Sequence, residues 1–112
     1  MDDRFYDNWA TQVRKGMLEL CILNAIAVRS LYGYDIVRTL RTVEGLMISE
    51  GTIYPILSRL KREGLVRTTL KESSEGPARK YYDLTDKGRS ILKKMNTYWK
   101  EIKTGTDSLR EE

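Results

Sequence analysis

The stretch SEGTIYPILSRLKREGL, residues 49–65, decides the fold because it has the features of one short amphipathic helix with a defined start and end. Ser49 can cap the helix, and the carboxylate of Glu50 is favourable at the positive end of the helix dipole. Gly64 is the residue type that commonly follows a helix C-terminus. One side of the helix is apolar and must face a core, and it comprises Ile53, Ile56, Leu57 and Leu60.

The opposite side of this helix is polar and suits contact with DNA. Hydroxyl groups bond phosphates or base edges, arginine binds guanine bidentately, and a glycine lets a helix start approach a phosphate closely. The predicted DNA-contacting residues here are Gly51, Thr52, Tyr54, Pro55, Ser58, Arg59 and Arg62. Pro55 implies that the regular helix begins nearer Thr52 or that a bend is tolerated. The alternative for Arg59 and Arg62 is a solvated face near the helix C-terminus, where cations are favoured anyway.

Two further helices are predicted before this one. Residues 13–28 are apolar nearly all round, with Glu19 and Asn24 as the clearly polar residues beyond the first turn, so this helix must be covered on more than one side. Residues 34–43 carry apolar side chains with helical spacing, at Ile36, Leu40 and Val43. A short connection containing glycine joins the second helix to the third, which is typical of a helix-turn-helix.

A β-hairpin is predicted after the third helix. The segments 65–70 and 80–84 are rich in β-forming residues, and the turn-forming stretch 72–77 between them predicts a long exposed tip. In a winged helix-turn-helix such a hairpin brings cations to the DNA backbone. Glu72 and Glu75 partly cancel the positive field at the tip. The cations that bracket it are Lys71, Arg79 and Lys80.

The last predicted helix carries a seam suited to dimerisation. Thr85 is a candidate N-cap, and apolar residues then recur with spacings of four and three if Gly105 occupies one seam position. The seam comprises Ile91, Met95, Tyr98, Ile102 and Leu109. Because so long an apolar surface should not stay wet, we expect this helix to form a dimer interface.

The length of 112 residues suits one domain, 1–112, divided into a winged helix-turn-helix part, 10–84, and a C-terminal dimerisation helix, 85–112. The predicted fold class is mainly α with a β-hairpin (α+β). Lysine and arginine number 20 against 16 acidic residues, giving a formal charge of +4. This mild excess does not by itself indicate nucleic acid, so the placement of the cations must decide.

Enzymatic chemistry is not expected. The chain has no histidine and one cysteine, Cys21, so an intrachain disulfide and the usual Ser–His and Cys–His pairs are excluded. No glycine-rich phosphate loop or Cys/His metal cluster occurs, and we predict no catalytic residue, metal or cofactor. Asp83 and Asp86 lie at a strand-to-helix junction, where capping is the simpler role. Cys21 lies in an apolar run and is interpreted as a small buried hydrophobe.

A cytoplasmic location without a membrane partner is predicted. The start, Met1 to Arg4, has no hydrophobic segment of the signal-peptide type. The longest apolar stretch, residues 20–28, is far shorter than the roughly 20 residues that span a bilayer.

Four stretches of the sequence form a recognisable combination: YGYDI at 32–36, SEGTIYP at 49–55, LSRLKREGL at 57–65 and GPARKYYDLT at 76–85. Together they resemble the PadR family of bacterial transcriptional regulators. The length resembles the compact subfamily with a single C-terminal helix. The resemblance implies a homodimer that represses promoters by binding duplex DNA, with the first and last helices at the interface. The predicted interface residues are Met17, Cys21, Ile91, Met95, Tyr98, Trp99 and Ile102.

The resemblance also places residues 51–55 and Ser58 on the recognition helix, and residues 79–80 on the second wing strand. Some compact members of the family bind flat aromatic compounds between protomers, beside a tryptophan of the last helix. Trp99 matches that tryptophan in outline, which implies a planar aromatic small-molecule effector; the alternative is that Trp99 fills the interface core. A winged-helix module that contacts only protein is the competing function, and it differs in lacking an unobstructed positive face on the third helix.

Overall fold

The computed structural model describes residues 2–111, so Met1 and Glu112, the two ends of the predicted domain, lie outside it. The described elements are α1 (Arg4–Val28), β1 (Leu31–Tyr32), α2 (Gly33–Leu40), α3 (Glu50–Arg62), β2 (Val66–Ser73), β3 (Gly76–Leu84) and α4 (Asp86–Arg110). The α+β class is confirmed: α2 and α3 form the helix-turn-helix, and β2 and β3 form the hairpin that follows it.

The hairpin is part of a three-stranded antiparallel sheet with the order β1-β3-β2. The two residues of β1 were not predicted as a strand, because two residues are too few to show a β-type alternation. Their pairing with β3, Leu31 to Tyr82 and Tyr32 to Tyr81, joins the end of α1 to the base of the wing. The sheet therefore fixes the wing to the helical part of the molecule.

The core lies between α1, α2, α3 and the base of the sheet. The predicted stripe on α3 is confirmed for Ile53, Leu57 and Leu60, which are buried, while Ile56 is half-buried. Its buried neighbours on other elements include Ile22, Leu23, Ile36, Val37 and Leu84. Burying an aliphatic side chain of this size contributes about 1.5–3 kcal/mol, so this stripe alone holds α3 firmly.

Three predicted boundaries were wrong. Helix α2 ends at Leu40, so Val43, which was predicted on its apolar face, lies beyond the helix and is exposed. Helix α1 begins at Arg4 rather than near Val13. The sequence did not show this start, because the aromatic side chains of the first turns stay exposed and form no helical core pattern; Phe5 is 87 % exposed. The hairpin has no long tip, since its strands extend to Ser73 and Gly76 and leave a two-residue turn.

The predicted helix caps were partly correct. Ser49 occupies the N-cap position of α3, but its hydroxyl makes no capping bond and instead shares a hydrogen bond of 3.0 Å with the hydroxyl of Thr52. Thr85 caps α4 as predicted, accepting a hydrogen bond of 2.9 Å from the backbone N–H of Gly88. Gly64 follows α3 with a φ of +79°, a conformation that favours glycine.

Within residues 2–111, no helix combines the length and the apolar character needed to cross a membrane.

Candidate nucleic-acid interface

Helix α3 presents a continuous exposed face on the side away from its buried stripe. All seven residues that the sequence predicts on this face are exposed: Gly51, Thr52, Tyr54, Pro55, Ser58, Arg59 and Arg62. With the preceding helix bracing α3 from behind, an exposed helix of this kind has the dimensions to enter a DNA major groove.

Pro55 lies inside α3, which begins at Glu50 and not at Thr52. Because proline has no N–H, Pro55 cannot donate to the carbonyl of Gly51 four residues earlier. The helix start therefore leaves a backbone acceptor at Gly51 without its usual helical partner. Gly51 is also open, with no atom within 4 Å of the position that a Cβ would occupy. The Gly51 carbonyl is an acceptor that suits a base amino group, and the open position beside it leaves space for a close approach of DNA.

Tyr54 packs over the start of α2. A Cβ added to Gly33 would lie 2.6 Å from the Tyr54 ring, so glycine makes this close approach possible. Partial burial and the nearby carboxylate of Glu50 raise the pKa of Tyr54 above its ordinary value. Tyr54 thereby borders a recess of about 300 Å³ between α3 and the wing, whose lining is completed by Tyr32, Gly33, Tyr34, Arg79, Lys80 and Tyr82.

Two wing cations are held by tyrosine rings. The guanidinium of Arg79 lies 4.6 Å from the ring centroid of Tyr32, and the ammonium of Lys71 lies 4.6 Å from that of Tyr81. Lys71 and Arg79 are also paired directly across β2 and β3. Cation–π contacts of this geometry orient a cation without neutralising it. The wing therefore offers two adjacent, pre-oriented positive charges.

Sequence reasoning missed Arg38, Tyr32 and Tyr81 as parts of this face. Arg38 of α2 is exposed and lies 5.9 Å from the ring centroid of Tyr34, next to the recess. The signal available in the sequence was the run of tyrosines at 32, 34, 81 and 82, interleaved with cations. Only the β1–β3 pairing brings these separate segments together.

Arg59 differs from the other predicted contacts because its charge is already paired. Its Nη2 atom lies 2.7 Å from Oε2 of Glu19 on α1. Arg62, by contrast, makes no ion pair within the described part of the chain. The charge of Arg59 is therefore neutralised by a neighbouring carboxylate, while, among the described residues, that of Arg62 on the same helix is not.

A second surface, an apolar groove of about 570 Å³, lies between α1 and α4. Its lining includes six of the predicted interface residues, Met17, Ile91, Met95, Tyr98, Trp99 and Ile102, together with Val13, Gly16, Leu20 and Lys94. Trp99 is 39 % exposed and Tyr98 is 65 % exposed. The structure thus gathers these residues on one surface.

Cys21 is not part of the groove lining. It is half-buried, and desolvation raises the pKa of its thiol. Cys21 is thus less buried than the sequence predicted, and its role at an interface remains a prediction.

Helices α1 and α4 are also joined by a reciprocal pair of amide hydrogen bonds. Asn24 Nδ2 donates to Asn96 Oδ1 at 3.0 Å, and Asn96 Nδ2 donates to Asn24 Oδ1 at 2.9 Å. This pair explains why Asn24 interrupts the apolar stretch of residues 20–28 in α1. Leu92, which is not in the predicted seam, is the α4 side chain buried against the core. Together these contacts fix α4 on its own chain. In the seam, Met95 packs partly against the core, while Tyr98 and Ile102 stay exposed.

Comparison with known proteins identifies the family. Residues 22–94 match the model of the transcriptional regulator PadR-like family. A crystal structure of a PadR-like transcriptional regulator from Bacillus cereus is 43 % identical, with a TM-score of 0.80, covering 88 % of this chain and 95 % of that one. A PadR-like transcription factor from Bacteroides fragilis is 41 % identical, with a TM-score of 0.76, covering 91 % and 98 %.

An uncharacterised protein of Lysinibacillus sphaericus is 30 % identical over 103 residues, which cover 90 % of this chain and 94 % of that protein. The family match spans the end of α1, the helix-turn-helix, the wing and the first part of α4, and it includes α3 and the wing, which carry the exposed face described above. On these grounds the chain belongs to the PadR-like family of transcriptional regulators, a family of DNA-binding proteins rather than enzymes.

Proposed function

We propose that this regulator binds operator DNA as a homodimer in the bacterial cytoplasm and represses transcription there. The observation that carries the proposal is that Tyr54 of the exposed α3 face and Arg79 of the wing line the same tyrosine-rich recess. Lys71, the second oriented wing cation, is paired with Arg79 across the hairpin. A helix that reads base edges beside a hairpin that grips phosphates is the arrangement that winged helix-turn-helix proteins use.

The proposed contacts divide into two roles. Residues on α3 read the bases or the backbone next to them, and these are Gly51, Thr52, Tyr54, Pro55, Ser58, Arg59 and Arg62. The wing residues Lys71, Arg79 and Lys80 bind phosphates and add affinity without sequence information.

Dimerisation is supported by the groove between α1 and α4. Its walls are almost entirely apolar, and Ile102 is 42 % exposed while Trp99 is 39 % exposed in the single chain. A second copy related by a two-fold axis would cover the same patch on both protomers. With two recognition helices, such a dimer would bind two half-sites one helical turn, about 34–36 Å, apart.

A selection experiment tests this function. Fragments of the source genome are incubated with the protein at low salt, and the bound fragments are recovered and footprinted with hydroxyl radicals. The proposal predicts enriched fragments with two protected half-sites on one face of the duplex, and repression when such a fragment is placed upstream of a reporter gene. Failure to enrich any fragment would contradict DNA binding, and activation of the reporter would contradict repression.

A planar aromatic effector is proposed as a second feature of the same dimer. The groove wall is apolar, and Trp99 lies on it partly exposed, so two symmetry-related tryptophans could enclose a flat guest. Such a ligand regulates only if it binds the DNA-free and DNA-bound arrangements with different affinity.

This feature is tested by titrating planar dyes into the Trp9→Phe variant and following emission from Trp99. Quenching of Trp99 emission, together with a dye-induced change in operator affinity that Trp99→Phe abolishes, supports the effector site. If no dye quenches the emission or alters DNA affinity, Trp99 is a core residue of the interface.

A further inference from the structure

The end of α3 is bonded directly to the start of α4. Glu63 O accepts a hydrogen bond of 2.9 Å from Lys87 Nζ, and Gly64 O accepts one of 2.6 Å from the hydroxyl of Thr85. Leu65 O accepts a third, of 3.1 Å, from the backbone N–H of Thr85. These three successive carbonyls come immediately after Arg62, the last residue of α3, so the start of α4 is bonded to the segment that ends α3.

The hydroxyl of Thr85 joins the two helices. While it donates to Gly64, it accepts a hydrogen bond of 2.9 Å from the backbone N–H of Gly88 in the first turn of α4. Gly88 is buried, and an added Cβ would overlap the carbonyl of Leu65, so the backbones approach as closely as glycine allows. The ammonium of Lys87 also lies at the negative end of the α3 dipole, where a cation is favoured.

These contacts have a geometric role that apolar packing cannot fill. The stripe of Ile53, Leu57 and Leu60 holds α3 on the core, but hydrophobic burial is non-directional. The bonds from Thr85 and Lys87 are directional and lie at the base of the hairpin, next to the Val66–Leu84 pair. They therefore fix the angle between α3 and α4 and the direction of the wing.

We propose that Thr85 and Lys87 are positioning residues that set the separation of the two recognition helices and hence the half-site spacing the protein accepts. This inference rests on the proposed dimeric DNA binding. In such a dimer, α4 of each protomer is held by its partner, so the α3–α4 junction determines where each recognition helix lies. Neither residue needs to touch the DNA for this role.

The first test needs no DNA. Spin labels at Lys61→Cys on α3 and Thr97→Cys on α4, in a Cys21→Ala background, report the distance between the two helices within one chain when labelled protein is diluted with unlabelled protein. We expect one narrow distance distribution in the parent protein and a broadened one in Thr85→Ala and Lys87→Met. The distance distribution should stay narrow in two controls. Thr85→Ser keeps the hydroxyl, and Lys93→Met removes a lysine charge elsewhere on α4.

The second test measures spacing preference on the selected operator and on duplexes with one base pair inserted or deleted between half-sites. The parent protein should discriminate against the altered spacings. In Lys87→Met, which removes one hydrogen bond, that discrimination should fall by about fivefold, and in Thr85→Ala, which removes two, by about tenfold or more. The Thr85→Ser and Lys93→Met controls should keep it. Melting temperatures separate this effect from unfolding.

The two tests fail in different ways. If the parent protein binds no duplex, the proposed function is wrong, and the distance measurement still decides whether the junction fixes α3 against α4. The positioning role is overturned if the distance distribution stays narrow in both Thr85→Ala and Lys87→Met. It is also overturned if these variants are folded and keep the parent's spacing preference. A broad distribution in the parent protein overturns it equally.

Discussion

The guanidinium of Arg59 on α3 lies 2.7 Å from the carboxylate of Glu19 on α1. Arg62, three residues further along the same helix, makes no ion pair among the described residues. A paired charge must give up its partner or share it before it can bind DNA. The two arginines should therefore contribute unequally to binding.

Replacing Arg62 by alanine should weaken operator binding by about 1–3 kcal/mol, whereas Arg59→Ala should cost clearly less because Glu19 already neutralises that charge. Fluorescence anisotropy on a labelled duplex measures both. As a matched control, Glu19→Gln should free Arg59 and strengthen binding slightly at low salt. If Arg59→Ala and Arg62→Ala lost equal amounts of binding free energy, the ion pair with Glu19 would open without cost in the complex.

The wing cations should act on affinity without changing sequence preference. Alanine at Arg79 or Lys80 should weaken binding to all duplexes about equally and reduce the salt slope by about 0.9 for each phosphate that the variant no longer neutralises. Variants at Thr52, Tyr54 or Ser58 should instead change which sites are preferred. Binding to randomised duplexes at several salt concentrations separates these effects, and the reverse pattern would exchange the roles of wing and helix.

Gly33 should influence DNA recognition through Tyr54. In Gly33→Ala the new methyl group meets the Tyr54 ring, which is 39 % exposed and can rotate away. We expect a small change in melting temperature but an altered site preference resembling that of Tyr54→Ala. In the Tyr54→Ala background, Gly33→Ala should add almost nothing, because the pair is coupled only through this contact. Additive effects on site preference would show that Gly33 acts by another route.

The sequence predicted those features that depend on local patterns. The apolar stripe on α3, the Thr85 cap and the hairpin follow from residue spacing and capping chemistry. It did not reveal the Asn24–Asn96 pair or the bond from Lys87 to Glu63, because each joins residues far apart in the chain, by 72 and 24 positions. Such partners depend on how the helices and strands pack together, which the spacing of apolar residues does not reveal.

The groove between α1 and α4 should hold the dimer together. Ile102→Glu places a carboxylate among apolar side chains, where an unpaired charge is costly, so this variant should sediment as a monomer at micromolar concentration. Lys100→Glu changes the charge at an exposed α4 position that does not line the groove, and it should remain dimeric. A dimeric Ile102→Glu variant that is fully folded would place the interface elsewhere.

The stoichiometry of the complex with a selected operator tests the central claim most directly. Sedimentation velocity of a fluorescent duplex at low salt, with increasing protein, gives the number of chains bound. A dimer that presents two recognition helices predicts two chains per duplex, appearing together without a one-chain intermediate, and loss of this complex in Ile102→Glu. A stable complex with one chain per duplex, or no complex with any genomic fragment, would contradict it.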